Sequence, residues 1–354
     1  DTEGESNAWM AAIQSTIDRL SKGGIPSYST NTNSGSTTSS PSGVSLPASA
    51  KDVRNALLAA KNEIYFLKEN QSMDNKVLDF WKIWIESIPP HSELLLSGGS
   101  IQFDVATSAD MQRFTWRTSG PQSIFIQNMV NFFWNVGAPE SEIDRLNDVG
   151  GIINPLVIGS WIDMSAKGGM DGGWFFPVDT ALKIANEAND TGDAAKKVLE
   201  WADKHMVQQC YALGRDMGAA PPRQTELKIK LPGTTFQEQL TIAKSAFDTF
   251  GFPALPEEAI TIISATPKLG LRMSIITSSE GFVRLGLLVP EPDGSMIDKL
   301  CPMSGALSSQ PLVKFASAIG NTGPQFVEFQ YLMKGFGYGV YKEGFDVVFH
   351  YNVS

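Results

Sequence analysis

The run FWNVGAPESEI, Phe133 to Ile143, is followed downstream by WIDMSAKGGMDGGWFFP, Trp161 to Pro177. The same order returns as FGFPALPEEAI, Phe250 to Ile260, and SIITSSEGFVRLGLLVP, Ser274 to Pro290. Laid over each other without a gap, the later stretches share Ile162/Ile275, Ser165/Ser278, Gly168/Gly281, Gly173/Gly286 and Pro177/Pro290. Phe133 falls on Phe250, Pro139-Glu140 on Pro256-Glu257, and Trp201-Ala202 on Phe315-Ala316. The pattern reads as the duplication of a unit of about 120 residues.

Working outward, the local chemistry of these stretches is that of structure. Pro139 and Pro256 stand at helix starts, and the acids that follow them complement the positive end of the helix dipole. The glycines from Gly168 to Gly173 read as a hairpin turn between strands Leu156 to Ser165 and Trp174 to Val178. No Lys-Ser/Thr and no helix follow that turn, so it lacks what a phosphate loop needs.

The chain has 354 residues and 42% hydrophobic content, enough for two domains and an appendage. A formal charge of −10 without a compensating basic run argues against nucleic acid. Cys210 and Cys301 cannot form a disulfide framework and read as buried, inert thiols in a reducing compartment. The apolar run Ile152 to Ile162 contains Asn154, Pro155 and Gly159 and is too short to span a bilayer. The start at Asp1 leads to the expectation that a leader has been removed.

In chain order, Trp9, Ile13, Ile17 and Leu20 predict an amphipathic N-terminal helix within residues 1–24. A Ser/Thr/Gly-rich linker covers 25–50. A helical segment over 51–98 carries Trp81 and Trp84 on one face, read chiefly as core, and ends at Pro89-Pro90. A first repeat module is expected over 99–222. In it, SIQFDVA alternates as a half-buried strand, Ile124 to Trp134 is helical, and a helix runs from Thr180 through Ala212 with a break near Asn189 to Gly192. A second module, 223–354, opens on the strand Glu226 to Leu231. It continues through a helix Phe236 to Phe250, a hairpin within Ile260 to Val289 and a helix Leu312 to Lys334, and closes on FDVVFHYNV. The expected fold class is therefore α+β: two tandem, internally duplicated α/β sandwich modules, antiparallel sheets with helices on one face, related by pseudo-twofold symmetry and preceded by a helical segment.

Catalytic signals are weak. His91, His205 and His350 stand without HxxxH, HxH or a neighbouring Cys, and His205 and Cys210 are five apart, a poor spacing for a nucleophile and base on one helix. GxSxG, GxGxxG, Walker and calcium-loop patterns are missing from the chain. Nothing nominates a carboxylate pair, a metal ligand set or a cofactor. No catalytic, cofactor-binding or metal-ligating residue is therefore expected.

The duplicated regions, the APESEI/LPEEAI pair, the SxxGxxxxG turn at Ser165 to Gly173 and Ser278 to Gly286, and the terminal FDVVFHYNV resemble the pyrenoid shell proteins of diatoms and related algae over residues 99–354. The resemblance implies a non-catalytic structural protein that self-assembles into a sheet or tube around a Rubisco-rich pyrenoid in the chloroplast stroma. Its partners would be further copies of itself, with Rubisco or a matrix protein on one face, and neither nucleic acid nor membrane. Two further readings stand beside it. One is a viral or phage coat protein. The other is an enzyme with a cryptic site between the repeats, favoured if a pocket holds converging acids or His205.

Overall fold

The computed structural model describes residues 83–84, 87, 99–106, 113–165, 170–189, 192–217, 223–306, 308–336 and 343–353. The expected helix within 1–24, the linker 25–50, Trp81 and most of the 51–98 segment lie outside the described residues. All of the described residues belong to one compact unit.

Five hairpins alternate with helix pairs. They are β1 (Ser100–Ala106) with β2 (Arg113–Pro121), β3 (Val157–Ser165) with β4 (Met170–Phe176), β6 (Gln209–Asp216) with β7 (Thr225–Lys230), β8 (Arg272–Ser278) with β9 (Gly281–Pro290), and β10 (Phe326–Leu332) with β11 (Gly344–Val353). Between them run α1 (Gln122–Asn135) and α2 (Glu140–Ile153), α3 (Leu182–Asn189) and α4 (Asp193–Lys204), α5 (Phe236–Thr249) and α6 (Glu257–Ala265), and α7 (Gly294–Met303) and α8 (Gln310–Ala318). The two-residue β5 (Thr180–Ala181) is an appendage on β6.

Every strand pairing is antiparallel, and β4 also pairs with β6 while β1 pairs with β11. Ten of the eleven strands thereby close into a barrel, which removes the unpaired edges that an open sheet would leave. The two expected sandwich modules do not exist as separate sheets. The reason is registry at the seams: Ile101 to Ala106 pair with Val353 to Val348, and Cys210 to Arg215 with Ile229 to Thr225, so the edge strands of each supposed module are bonded to those of the other.

The duplication is real at another period. Helix pair plus hairpin recurs from Gln122, Leu182, Phe236 and Gly294, and the two copies seen in the sequence are alternate members of that series. Pro139 and Pro256 occupy the N-cap positions of α2 and α6. Gly173 and Gly286 share a reason as well. A Cβ on Gly173 would meet the Trp161 ring and the Arg215 carbonyl, and one on Gly286 would meet the Glu328 carboxylate.

The strands alternate with period two, but their apolar side faces outward onto the helices. Phe103 and Phe114 stack at 5.6 Å, and Phe315 of α8 meets them at 5.8 and 6.1 Å. Trp84 is fully buried, 5.0 Å from Phe132 of α1 and 6.1 Å from Trp116, as a core residue. Burial of each such side chain is worth roughly 1.5–3 kcal/mol. Two expected helices are in part strands: Gln209 to Leu213 belongs to β6 and Phe326 to Leu332 to β10. In both stretches hydrogen bonding to two neighbouring strands outweighs helical propensity.

Candidate functional site: the barrel lumen

Because the outer face is covered by helices, the charged members of each alternation turn into the lumen. Asp104 on β1, Arg117 on β2, Asp163 on β3, Asp171 on β4, Asp216 on β6, Glu226 and Lys228 on β7, Arg284 on β9, Glu328 on β10 and His350 on β11 come from positions on one face of the strand register. Asp104, Lys228, Arg284, Glu328 and His350 are each less than a tenth exposed. A lumen of this kind is stable only if its charges are paired.

At mid-barrel they are. His350 Nδ1 lies 2.6 Å from Asp104 Oδ1 and Nε2 lies 3.0 Å from Glu328 Oε2. Arg117 Nε donates to Asp104 Oδ2 at 3.1 Å and its Nη1 to Glu226 Oε2 at 3.1 Å. Glu226 Oε1 accepts from Ser274 Oγ at 2.8 Å, and Lys228 Nζ is 3.7 Å from it. Burial opposes charge on His350, yet the Asp104 and Glu328 carboxylates outweigh it and raise its pKa above the usual imidazole value, so both ring nitrogens donate. Burial likewise opposes ionisation of Asp104, but His350, Arg117 and Lys228 hold it well below the ordinary carboxylate range.

At the end of the barrel formed by the hairpin turns the pairing changes. Asp171 stands opposite Asp163 in the β3–β4 register and one same-face step from Gly173, whose partner is Asp216. Asp163 accepts from Thr115 and lies 3.7 Å from Arg113. Asp171 accepts the Gly172 N–H at 2.8 Å and Asp216 the Gln224 N–H at 3.0 Å. Among the described residues neither Asp171 nor Asp216 is in an ion pair. The nearby arginines are held elsewhere: Arg215 and Arg223 donate to Glu142 at 2.9 and 3.2 Å. Burial, and for Asp171 the Asp216 charge next, raise both carboxyls, that of Asp216 to about 7. Asp171, Asp216, Gln224, Glu226, Arg117, Arg284 and Trp161 all line a cavity of about 20 Å³, room for about one water.

At the opposite end, Arg272 lies 4.7 Å from the Tyr211 ring centroid and 4.5 Å from that of Phe326. Among the described residues there is no group of three or more His, Cys, Asp or Glu placed to hold a metal ion. No described helix is long and apolar enough to cross a membrane.

The residues weighed in the sequence are scattered by this geometry. His91 lies outside the described residues. His205 sits at the C-terminal end of α4, 3.0 Å from Ser245 Oγ and away from the lumen. Cys210 and Cys301 are buried free thiols that burial pushes up to about 12, unreactive as thiolates. Glu142, read as a helix-start acid, is also the anchor of Arg215 and Arg223. Asp171, read as part of a glycine turn, lies inside β4, which begins at Met170. The acid pair joins Asp171 to a residue 45 positions away, with strand alternation as the only signal of either in the sequence.

No protein-family model matches the chain. The fold is shared with solved aromatic prenyltransferases. The 5-dimethylallyltryptophan synthase of Streptomyces coelicolor superposes with a TM-score of 0.53 at 10% identity, over 83% of this chain and 95% of that one. Prenyltransferase PriB does so at 0.53 and 14% identity over the same shares. The 6-dimethylallyltryptophan synthase of Micromonospora olivasterospora, solved with DMASPP and Trp, gives 0.50 at 11% identity over 71% and 80%. By fold, then, the chain is a barrel of the prenyltransferase kind. A PH domain-containing protein of Dictyostelium discoideum is 55% identical over 366 residues, spanning all of this chain and 78% of that protein. The chain belongs to the family of that protein.

These findings correct the functional expectation. A non-catalytic, shell-forming structural protein rested on two sandwich modules. The chain instead forms one closed barrel with a charged lumen, the fold it shares with the solved prenyltransferases.

Proposed function

We propose that the chain is an enzyme that transfers an allylic group from its diphosphate to an aromatic acceptor inside the barrel. The supporting observation is the convergence of Arg117, Lys228 and Arg284 on the lumen beside Trp161. Transfer breaks the allylic C–O bond, and the electron pair leaves on the diphosphate. That growing charge needs preorganised cations in a dry site, where they act far more strongly than in water. The ring carbon of the acceptor forms the new C–C bond and then loses its proton to a base. Trp161 offers an aromatic face for the acceptor, and Arg117 already lies 5.7 Å from its ring centroid.

A diphosphate would compete with Asp104 and Glu226 for Arg117 and Lys228. With a cavity of about 20 Å³, donor entry also requires luminal side chains to move apart. Donor binding should therefore be strongly salt-dependent and slow.

The test is calorimetric titration of the full chain with dimethylallyl diphosphate, followed by mass spectrometry of reactions with tryptophan, tyrosine and other phenols or indoles. A saturable binding heat, reduced at least tenfold in affinity by Lys228→Met, together with a product one dimethylallyl group heavier, is expected. Neither heat nor product across the panel would sink the reading.

A further inference from the structure

We propose that Asp171 and Asp216 share one proton and act together as the acid–base pair of the luminal reaction, the ionised member taking the proton that the acceptor ring releases. This rests on the transferase reading above and adds the group that reading leaves unnamed.

The case begins with placement. Among the luminal acids, Asp104 is held by His350 and Arg117, Asp163 by Arg113 and Thr115, Glu226 by Arg117, Lys228 and Ser274, and Glu328 by His350. Asp171 and Asp216 accept hydrogen bonds from main-chain N–H groups, as Asp346 does from Val347, but unlike Asp346 they line the cavity, and among the described residues no ion pair joins them to a cation. The two face the same cavity as Trp161, Arg117 and Arg284, where acceptor and donor would meet.

The obvious cations are bonded to another acid. Arg215 is next to Asp216 in sequence and lines the same cavity, but its guanidinium, like that of Arg223, is bonded to Glu142. A Cβ at Gly173, directly opposite Asp216, would strike Trp161, so glycine there keeps the indole against the acid pair. Two carboxyls that face one cavity of about 20 Å³ cannot both ionise easily, which leaves one acid and one carboxylate near neutral pH. Their raised pKa values agree with that arrangement.

The proton balance is simple. The acceptor ring attacks the allylic carbon as the C–O bond breaks, and the electron pair departs on diphosphate. The ring carbon then carries one hydrogen too many. The carboxylate takes it as a proton, the C–H electron pair restores the aromatic ring, and the pair becomes doubly protonated. One proton leaves through the turn end of the barrel before the next cycle.

Two measurements decide the matter. Difference infrared spectra of substrate-free protein should show a carboxylic-acid carbonyl band at pH 7 that vanishes on raising the pH, and that is lost in both Asp171→Asn and Asp216→Asn. In turnover, both variants should bind dimethylallyl diphosphate within about threefold of the parent and lose about 100-fold or more in kcat, the range for removal of a general base. They should also lose the limb of the pH profile that titrates near neutral pH. Thermal melting guards against misfolding; each amide relieves like-charge crowding, so neither variant should melt lower. A parent protein without the infrared band, or variants that keep the parent kcat and pH profile, overturns the proposal. If the parent itself fails to bind the donor, the transferase reading falls separately and the acid–base role with it.

Discussion

His350 makes plain what burial does to a single side chain. The imidazole sits on the last strand, faces Asp104 on the first and Glu328 on the neighbouring one, and so closes the seam of the barrel with charge. Its folded pKa lies above the ordinary value of about 6.5, so its contribution is fully present below that pH and is lost as pH rises through the folded value. For Asp104 and Glu328 the sign reverses. Their folded pKa values are lowered, so their contribution is present above about pH 4 and is lost as pH falls through the folded values. The contribution of this set should therefore be level between roughly pH 4.5 and 6.5 and decline on either side, while the raised carboxyls of Asp171 and Asp216 add a loss of stability that grows as pH rises above about 4. His350→Gln should cost about 3 kcal/mol at pH 6, as loss of one member of a buried charged set does, and should remove the set's alkaline decline. Denaturant titrations across pH check both; an unchanged alkaline limb in the variant would contradict the assignment.

At the level of elements, helix starts were legible, the glycine turn was drawn too long because Met170 to Gly173 belong to β4, and the boundaries of β1, β7 and β11 fell within a residue of expectation. Thr235 caps α5 through a reciprocal bond with Glu238, a pattern written locally. The strands β6 and β10 were missed for a physical reason. YALG and FVEFQYL present apolar residues at spacings that suit a short helix as well as a strand, and only neighbours distant in sequence decide between them. The junction between α5 and the barrel depends on one side chain of this non-local kind. Gln239 donates to the Leu231 carbonyl at 3.0 Å and accepts the Gly270 and Leu271 N–H groups at 3.0 and 3.1 Å. Gln239→Leu should leave these buried main-chain groups unpaired and destabilise the protein by about 2 kcal/mol or more. A shift in the denaturation midpoint at unchanged slope would register it, and a loss under about 0.5 kcal/mol would contradict it.

For the whole molecule, two open sandwiches and one closed barrel share almost the same local pattern and differ in where the edge strands end. Closure turns the polar face of these strands inward, so Lys228, on the side of its strand opposite Leu227 and Ile229, becomes a luminal cation less than a tenth exposed. It also removes the free sheet edges along which a lattice could grow. Self-association through the N-terminal arm stands as a proposal on the amphipathic spacing of Trp9, Ile13, Ile17 and Leu20. A chain lacking residues 1–49 should keep the melting behaviour of the barrel and change only its sedimentation. If both chains sediment as the same monomer, the arm has no assembly role; if the shortened chain fails to fold, it belongs to the core.

By itself the sequence determined the repeated helix-and-strand alphabet, the helix starts and the period-two strands, because each depends on residues close together along the chain. Tertiary structure alone decided that FWNVGAPESEI and its echo belong to one barrel, that charge lies inside it, and that Asp171 meets Asp216. Those outcomes depend on which distant strands exchange hydrogen bonds and on which face is left for water, and neither is encoded in any local window.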